Sequence, residues 1–143
     1  MTKIRITADE IKFMNLFEKI TGAKVRDMIQ EENTICFLVN KEDMGLAIGK
    51  KGSNIEKVRN TLGKSVYVIE YSDEYSTFVK NIFQPSTIKE IRISNSSKGK
   101  NVVIKTNKRD RKNIIGYQGE KIKLAKKLLD RYFGLKNIII ETN

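Results

Sequence analysis

Asp43-Met44-Gly45-Leu46-Ala47-Ile48-Gly49-Lys50-Lys51-Gly52-Ser53-Asn54-Ile55 has a counterpart further along the chain: Asp110-Arg111-Lys112-Asn113-Ile114-Ile115-Gly116-Tyr117-Gln118-Gly119-Glu120-Lys121-Ile122. The two segments align without a gap at an offset of 67 residues. They share the leading Asp, an Ile-Gly-x-x-Gly core and the closing Ile. Repetition at a fixed offset implies one structural unit used twice.

The surroundings repeat too. Each loop follows a β-branched run, Thr34–Val39 or residues 102–106, and each precedes an amphipathic helix. The first such helix carries Ile55, Val58 and Leu62 at helical spacing, with Gly63 as its C-terminal cap. The second carries the stripe Ile122, Ala125, Leu129 and Phe133 and ends at Gly134. Strand-like runs follow at 66–71 and 137–140. Upstream, Thr7-Ala8-Asp9-Glu10 is a capping-box pattern. It opens a helix with Ile11, Met14, Phe17 and Ile20 on its apolar face and Gly22 at its end. Its counterpart starts near Ser72 or Asp73, uses Phe78, Val79, Ile82 and Phe83, and stops at Pro85. Strand pairs are expected at 23–30 with 33–40 and at 87–94 with 100–106, the second joined by the turn signal Asn95-Ser96-Ser97-Lys98-Gly99.

Each half therefore reads helix, strand, strand, helix, Gly-x-x-Gly, helix, strand. The expected fold is α+β, an α/β sandwich of two similar domains at 1–72 and 73–143, each a three-stranded sheet covered by helices on one face. A domain of roughly 70 residues buries little surface alone. The halves are expected to pack together or to share a short, stiff joint, because no Gly/Ser linker separates them.

Composition narrows the chemistry. There is no histidine and one cysteine, so the commonest general base and the usual zinc ligands are missing. Cys36 lies in the apolar run Ile35-Cys36-Phe37-Leu38-Val39 and reads as core. The acidic pairs Glu31-Glu32 and Asp73-Glu74 fall at a hairpin turn and a helix start, and read as solvated charges. No apolar run is long enough for a membrane helix and no signal region follows Met1-Thr2-Lys3-Ile4-Arg5, so a cytoplasmic protein is expected. Net charge is +11. Residues 1–71 carry 12 Lys and Arg against 10 Asp and Glu, whereas residues 72–143 carry 16 against 7. A basic half points to a polyanionic partner.

A Gly-x-x-Gly between two helices suits a phosphate. Glycine allows close approach, and the next helix directs N–H groups and its positive dipole end at the site. Ser53, with Glu56 three residues on, reads as a cap for that helix. Lys50 and Lys51 add mobile charge. Ile48 and Ile55 flank the loop as walls of an apolar groove for bases, with Asn54 beside them. Backbone held on one side and bases on an apolar floor is how single strands are bound. A P-loop needs Gly, four residues, then Gly-Lys-Ser/Thr; here the residue after Gly49 is Lys50. A dinucleotide fingerprint fails at Ala47. The second loop differs: its middle residues are Tyr117 and Gln118, and Glu120 follows. Its expected contacts are Ile115, Gly116, Gly119 and the flanking Arg109, Arg111, Lys112, Lys121 and Lys123, with Tyr117 stacking on a base.

The segment Gly45 to Ile55 resembles the signature of KH domains, and the element order is similar to the type II topology, in which an extra helix and strand precede the core. Two such domains filling residues 5–141 resemble the archaeal NusA-like transcription factors. That resemblance implies elongation, termination or antitermination through nascent RNA, and a rigid tandem pair forming one RNA surface. It implies single-stranded RNA as partner, with RNA polymerase or the ribosome as the place of action. The bacterial relatives' polymerase-binding and S1 modules do not fit in this length. No enzyme activity, cofactor, metal, membrane or small-molecule substrate is expected. The alternatives are a ribosome-associated or rRNA-maturation protein on the same fold, a single-stranded DNA binder, and a nucleotide-dependent enzyme, which the loop spacing argues against.

Overall fold

The computed structural model describes residues 7–142; the outermost ends of the two expected domains lie outside the described residues. The chain divides into two compact units, Met1–Ser72 and Asp73–Asn143. The first contains α1 (Ala8–Thr21), β1 (Asp27–Glu31), β2 (Thr34–Val39), α2 (Met44–Ile48), α3 (Ser53–Leu62) and β3 (Ser65–Glu70). The second contains α4 (Tyr75–Phe83), β4 (Glu90–Ser96), β5 (Gly99–Thr106), α5 (Lys108–Ile115), α6 (Glu120–Phe133) and β6 (Leu135–Thr142). Element order and sheet topology are the same in both: the middle strand pairs antiparallel with the strand before it and parallel with the last one.

In the first unit the capping box forms as expected. The Glu10 N–H donates to Thr7 Oγ1 at 3.1 Å, and the Thr7 N–H donates to Glu10 Oε1 at 3.3 Å. Gly22 closes α1 in the left-handed region at φ 79°. The strand expected from residue 23 starts instead at Asp27. Side chains of the helix occupy the intervening backbone: Ala23 N–H donates to Thr21 Oγ1 and Val25 N–H to Glu18 Oε2. Phe17 lies at the centre of the core, its ring stacked on Phe37 with centroids 4.3 Å apart. Met28, Ile35, Val39, Ala47, Val58 and Val66 complete that core. Ile11, expected on the apolar face of α1, is 49% exposed; Phe13 packs against the core instead. β2 is buried along its whole length. Ile35, Phe37 and Val39 join the helix-side core, and Ile29, Cys36, Leu38 and Ile69 on the opposite face are also buried. Residues on both faces of β2 are therefore buried. Cys36 is core, as its setting in the sequence suggests, and its thiol is pushed up by burial and by the nearby Asp27 carboxylate.

The second unit repeats the plan with a longer crossover. α6 has 14 residues where α3 has 10. α4 buries Phe78, Val79, Ile82 and Phe83 as expected. Its last helical residue is Phe83, just ahead of the Gln84–Pro85 peptide. The buried face of α6 is Leu124, Ala125, Leu128 and Leu129, shifted from the stripe the sequence suggested; Ile122 and Phe133 are only partly buried. β4 begins at Glu90, later than expected. Residues 87–89 are held first by Thr106 Oγ1 donating to Thr87 O at 2.6 Å and by Thr87 N–H donating to Asp110 Oδ2 at 3.1 Å.

Two substitutions on α1 separate these roles. Phe17→Ala removes a fully buried ring and should destabilise the protein by about 3–5 kcal/mol in urea unfolding. Ile11→Ser should change stability by no more than about 0.5 kcal/mol.

Candidate nucleic-acid interface

Each repeated loop is a tight junction between two helices. α2 ends at Gly49, at φ 77° and ψ 170°, and the Gly49 N–H donates to Gly45 O at 2.9 Å. Lys51 at φ 54° and Gly52 at φ 75° then turn the chain into α3 through the left-handed region. The second junction is nearly superimposable in its angles: Gly116 at φ 82°, Gln118 at φ 52° and Gly119 at φ 72°. Lys51 and Gln118 are the only described non-glycine residues with positive φ. Strain of this kind in both loops, at the same position, marks a shape that the surrounding helices impose.

The first glycine of each loop is required by contact as well as by angle. A Cβ on Gly49 would lie 2.7 Å from the backbone nitrogen of Asn54. On Gly116 it would lie 2.7 Å from Lys121 Cβ and 3.0 Å from its nitrogen. Gly52 and Gly119 meet nothing closer than 3.8 Å, so their angle alone selects glycine.

Around the first loop, Lys50, Lys51 and Ser53 are exposed, and neither lysine is in an ion pair among the described residues. Ser53 is not the cap of α3. Gly52 holds that position, with no side-chain hydrogen bond, and Ser53 is the first helical residue. Glu56 pairs with Arg59 at 3.1 Å instead of reaching back. The first amide of α3, the Ser53 N–H, donates to Lys50 O inside the turn. Asn54 has a supporting role: its Nδ2 donates to Leu46 O at 2.7 Å and ties α3 to α2. Ile55 is only 8% exposed and sits in the core beneath the loop, so it offers little groove wall; Ile48 remains half-buried. Leu46, which the motif reading passed over, is 52% exposed. Helical spacing turns it outward when Met44, Ala47 and Ile48 turn inward.

Around the second loop the charge lies outside the turn. Arg109, Arg111 and Lys112 are exposed on α5, whose cap is Asn107. Tyr117 is 76% exposed, and Gln118 is exposed beside it. Ile115 is half-buried. Lys121 is not a free cation. It occupies the position of Asn54, is half-buried, and donates from Nζ to Gln84 O at 3.3 Å. Burial holds its ammonium below the usual lysine range.

A polar cleft of about 690 Å³ lies at the opposite end of α3, lined by residues including Asn33, Arg59, Lys64 and Tyr67. Arg59 in it is committed to Val66 O at 3.1 Å, and no residue of loop 49–52 reaches it. Among the described residues no group of three or more His, Cys, Asp or Glu side chains could hold a metal ion. Among the described residues no helix is long and apolar enough to cross a membrane.

The family model for the KH domain matches residues 14–81, a span that includes loop 49–52. The probable transcription termination protein NusA of Methanocaldococcus jannaschii is 33% identical over 138 residues, covering 96% of this chain and 75% of that protein. Its namesake in Methanococcus vannielii is 35% identical over 136 residues, covering 95% and 79%. The crystal structure of APE1850 superposes with a TM-score of 0.80 at 35% identity, covering 95% of this chain and 100% of that one. By these matches the chain belongs to the archaeal NusA-like family of KH-domain proteins.

Proposed function

We propose that this chain binds single-stranded RNA, with the sugar–phosphate backbone held on loop 49–52, and that it acts on nascent transcripts as an elongation, termination or antitermination factor. The observation that carries this reading is the pair Lys50 and Lys51. They are exposed cations on a strained loop at the N-terminus of α3, which has no side-chain cap, and neither is in an ion pair among the described residues. Such a loop supplies charge and backbone donors to a phosphate. The relatives' name, probable transcription termination protein NusA, supports the role in transcription.

We take the second unit as a second KH domain, because its order, topology and loop angles repeat those of the first. Its contact with RNA rests on Arg109, Arg111 and Lys112 around loop 116–119, with Tyr117 stacking on a base. RNA polymerase or the ribosome is where such a protein would meet its RNA. Cosedimentation with polymerase, and nascent RNA recovered by crosslinking in the native host, is the expected result; ribosomal subunits and rRNA instead would assign the protein to ribosome maturation.

Three sets of substitutions test the interface. Lys50→Asp with Lys51→Asp should weaken RNA binding strongly and lower the slope of log affinity against log salt by about 1.4. Melting should be unaffected, since both side chains are exposed. An unchanged isotherm would count against the clamp. Gly49→Ala should destabilise more than Gly63→Ala. Both have positive φ, which costs a non-glycine residue about 1–3 kcal/mol, but only at Gly49 does a Cβ collide with backbone. Replacing Arg109, Arg111 and Lys112 together by Ala should lower the salt slope by about 2. Tyr117→Ala should lower affinity with the slope unchanged. If the triple variant binds as well as the parent, the second contact does not exist.

A further inference from the structure

α1 is apolar on two sides, and the fold needs only one of them. Phe13, Met14, Phe17 and Ile20 face the core. On the opposite side Ile11 is 49% exposed. It lines a shallow groove of about 410 Å³ with Ala8, Lys12, Asn15, Leu16 and Lys19. One exposed isoleucine would be ordinary, but an apolar strip gathered into a groove marks a place of contact. The second unit shows that the fold does not require the strip. α4 holds the same place in the element order, and its exposed residues are Thr77 and Lys80. Its apolar side chains Phe78, Val79, Ile82 and Phe83 are all buried.

The charges on the groove decide what can cover it. Lys12 and Lys19 are exposed and in no ion pair among the described residues. They stand seven residues apart, about 10.5 Å along the helix, with Asn15 and Leu16 between them. The acids of α1 leave them unpaired. Glu10 is tied into the capping box, Glu18 accepts the Val25 N–H, and Asp9 pairs with neither lysine. A second copy of the chain fits badly. Antiparallel pairing about Asn15 and Leu16 sets Lys12 against Lys19, and parallel pairing sets each lysine against itself. Like charges brought together in this way oppose association. Residues 1–6 match no better, since they carry Lys3 and Arg5 and no acid. An acidic amphipathic helix does fit. Its apolar face would cover Ile11 and Leu16, and carboxylates two turns apart would meet the two lysines.

We propose that the outer face of α1 is a docking site for an acidic amphipathic helix of a protein partner. One helix face buries little area, so the contact is weak and readily reversed. Its residues are separate from those assigned to RNA, so it stands whether or not that reading does.

The test uses the full-length chain and two labelled helical peptides, each five turns long with one leucine face. The first carries two glutamates two turns apart beside that face; the second carries lysines in their place. In fluorescence anisotropy the chain should bind the glutamate peptide saturably and not the lysine peptide. Ile11→Ser should weaken binding of the glutamate peptide roughly tenfold. Lys12→Glu with Lys19→Glu should reverse the preference, so that the lysine peptide binds and the glutamate peptide does not. Absence of saturable binding by the parent would overturn the proposal, as would retention of the glutamate peptide by the charge-reversed variant. Displacement of the peptide by single-stranded RNA would place the groove on the RNA path and overturn it too. A dimer in sedimentation equilibrium that Ile11→Ser dissolves would make a second copy the occupant instead. Peptide binding seen only after removal of residues 1–6 would give that place to the chain's own N-terminus, and either result rejects the partner helix.

Discussion

The closeness of two helices at one point governs the rest of the first unit. α2 runs into α3 with so little clearance that a Cβ on Gly49 would lie 2.7 Å from the backbone nitrogen of Asn54. No side chain fits between them, so the turn must be made by residues with positive φ, and Lys51 is drawn into that region along with the glycines. Asn54 reinforces the approach by donating to Leu46 O. With the two helices fixed in this way, the lysines have nowhere to pack and project outward. The exposed positive loop is thus a by-product of tight helix packing and needs no separate scaffold.

Most of the architecture could be seen in the sequence because it is set by short-range chemistry. Thr7 and Glu10 form their box, Gly63 and Gly134 end their helices in the left-handed region, and the turn at Ser97 and Lys98 joins β4 to β5. What escaped the sequence depends on contacts made in space. β1 starts late because Thr21 and Glu18 reach forward to the backbone after α1. In α6 apolar residues occupy a broad arc, and packing selects Leu124 and Leu128 over Ile122 and Phe133 as its centre. At the candidate site, Lys50, Lys51 and Tyr117 are exposed as their loop positions suggest. Asn54 and Lys121 look like ligand contacts in the motif, yet each is committed to a carbonyl of the protein itself. Only the folded chain shows that commitment.

The excess positive charge also has a structure. Arg92 pairs with Glu141 and Lys136 with Asp130, all of them surface groups. Exposed pairs of this kind contribute little to stability, because water and salt screen them. The pairing with Arg92 holds the Glu141 carboxyl below its usual range. The cations of α5 take no part in ion pairs among the described residues. Crowded like charges on one short helix repel one another, and a polyanion relieves that repulsion. The second unit is held together by its apolar core, while its surface carries charge suited to a partner.

The two units differ in length in a way that obeys a simple rule of geometry. β5 and β6 have 8 residues each where β2 and β3 have 6, and α6 has 14 where α3 has 10. Two added strand residues lengthen a strand by about 6.6 Å. Four added helical residues lengthen a helix by about 6 Å, close to one full turn. The helix that carries the chain back between parallel strands must match the strands it spans. It must also finish facing the same way. Adding about one turn satisfies both demands. In this fold, growth of the sheet and growth of the crossover helix are coupled, and changes of length are accommodated in that ratio.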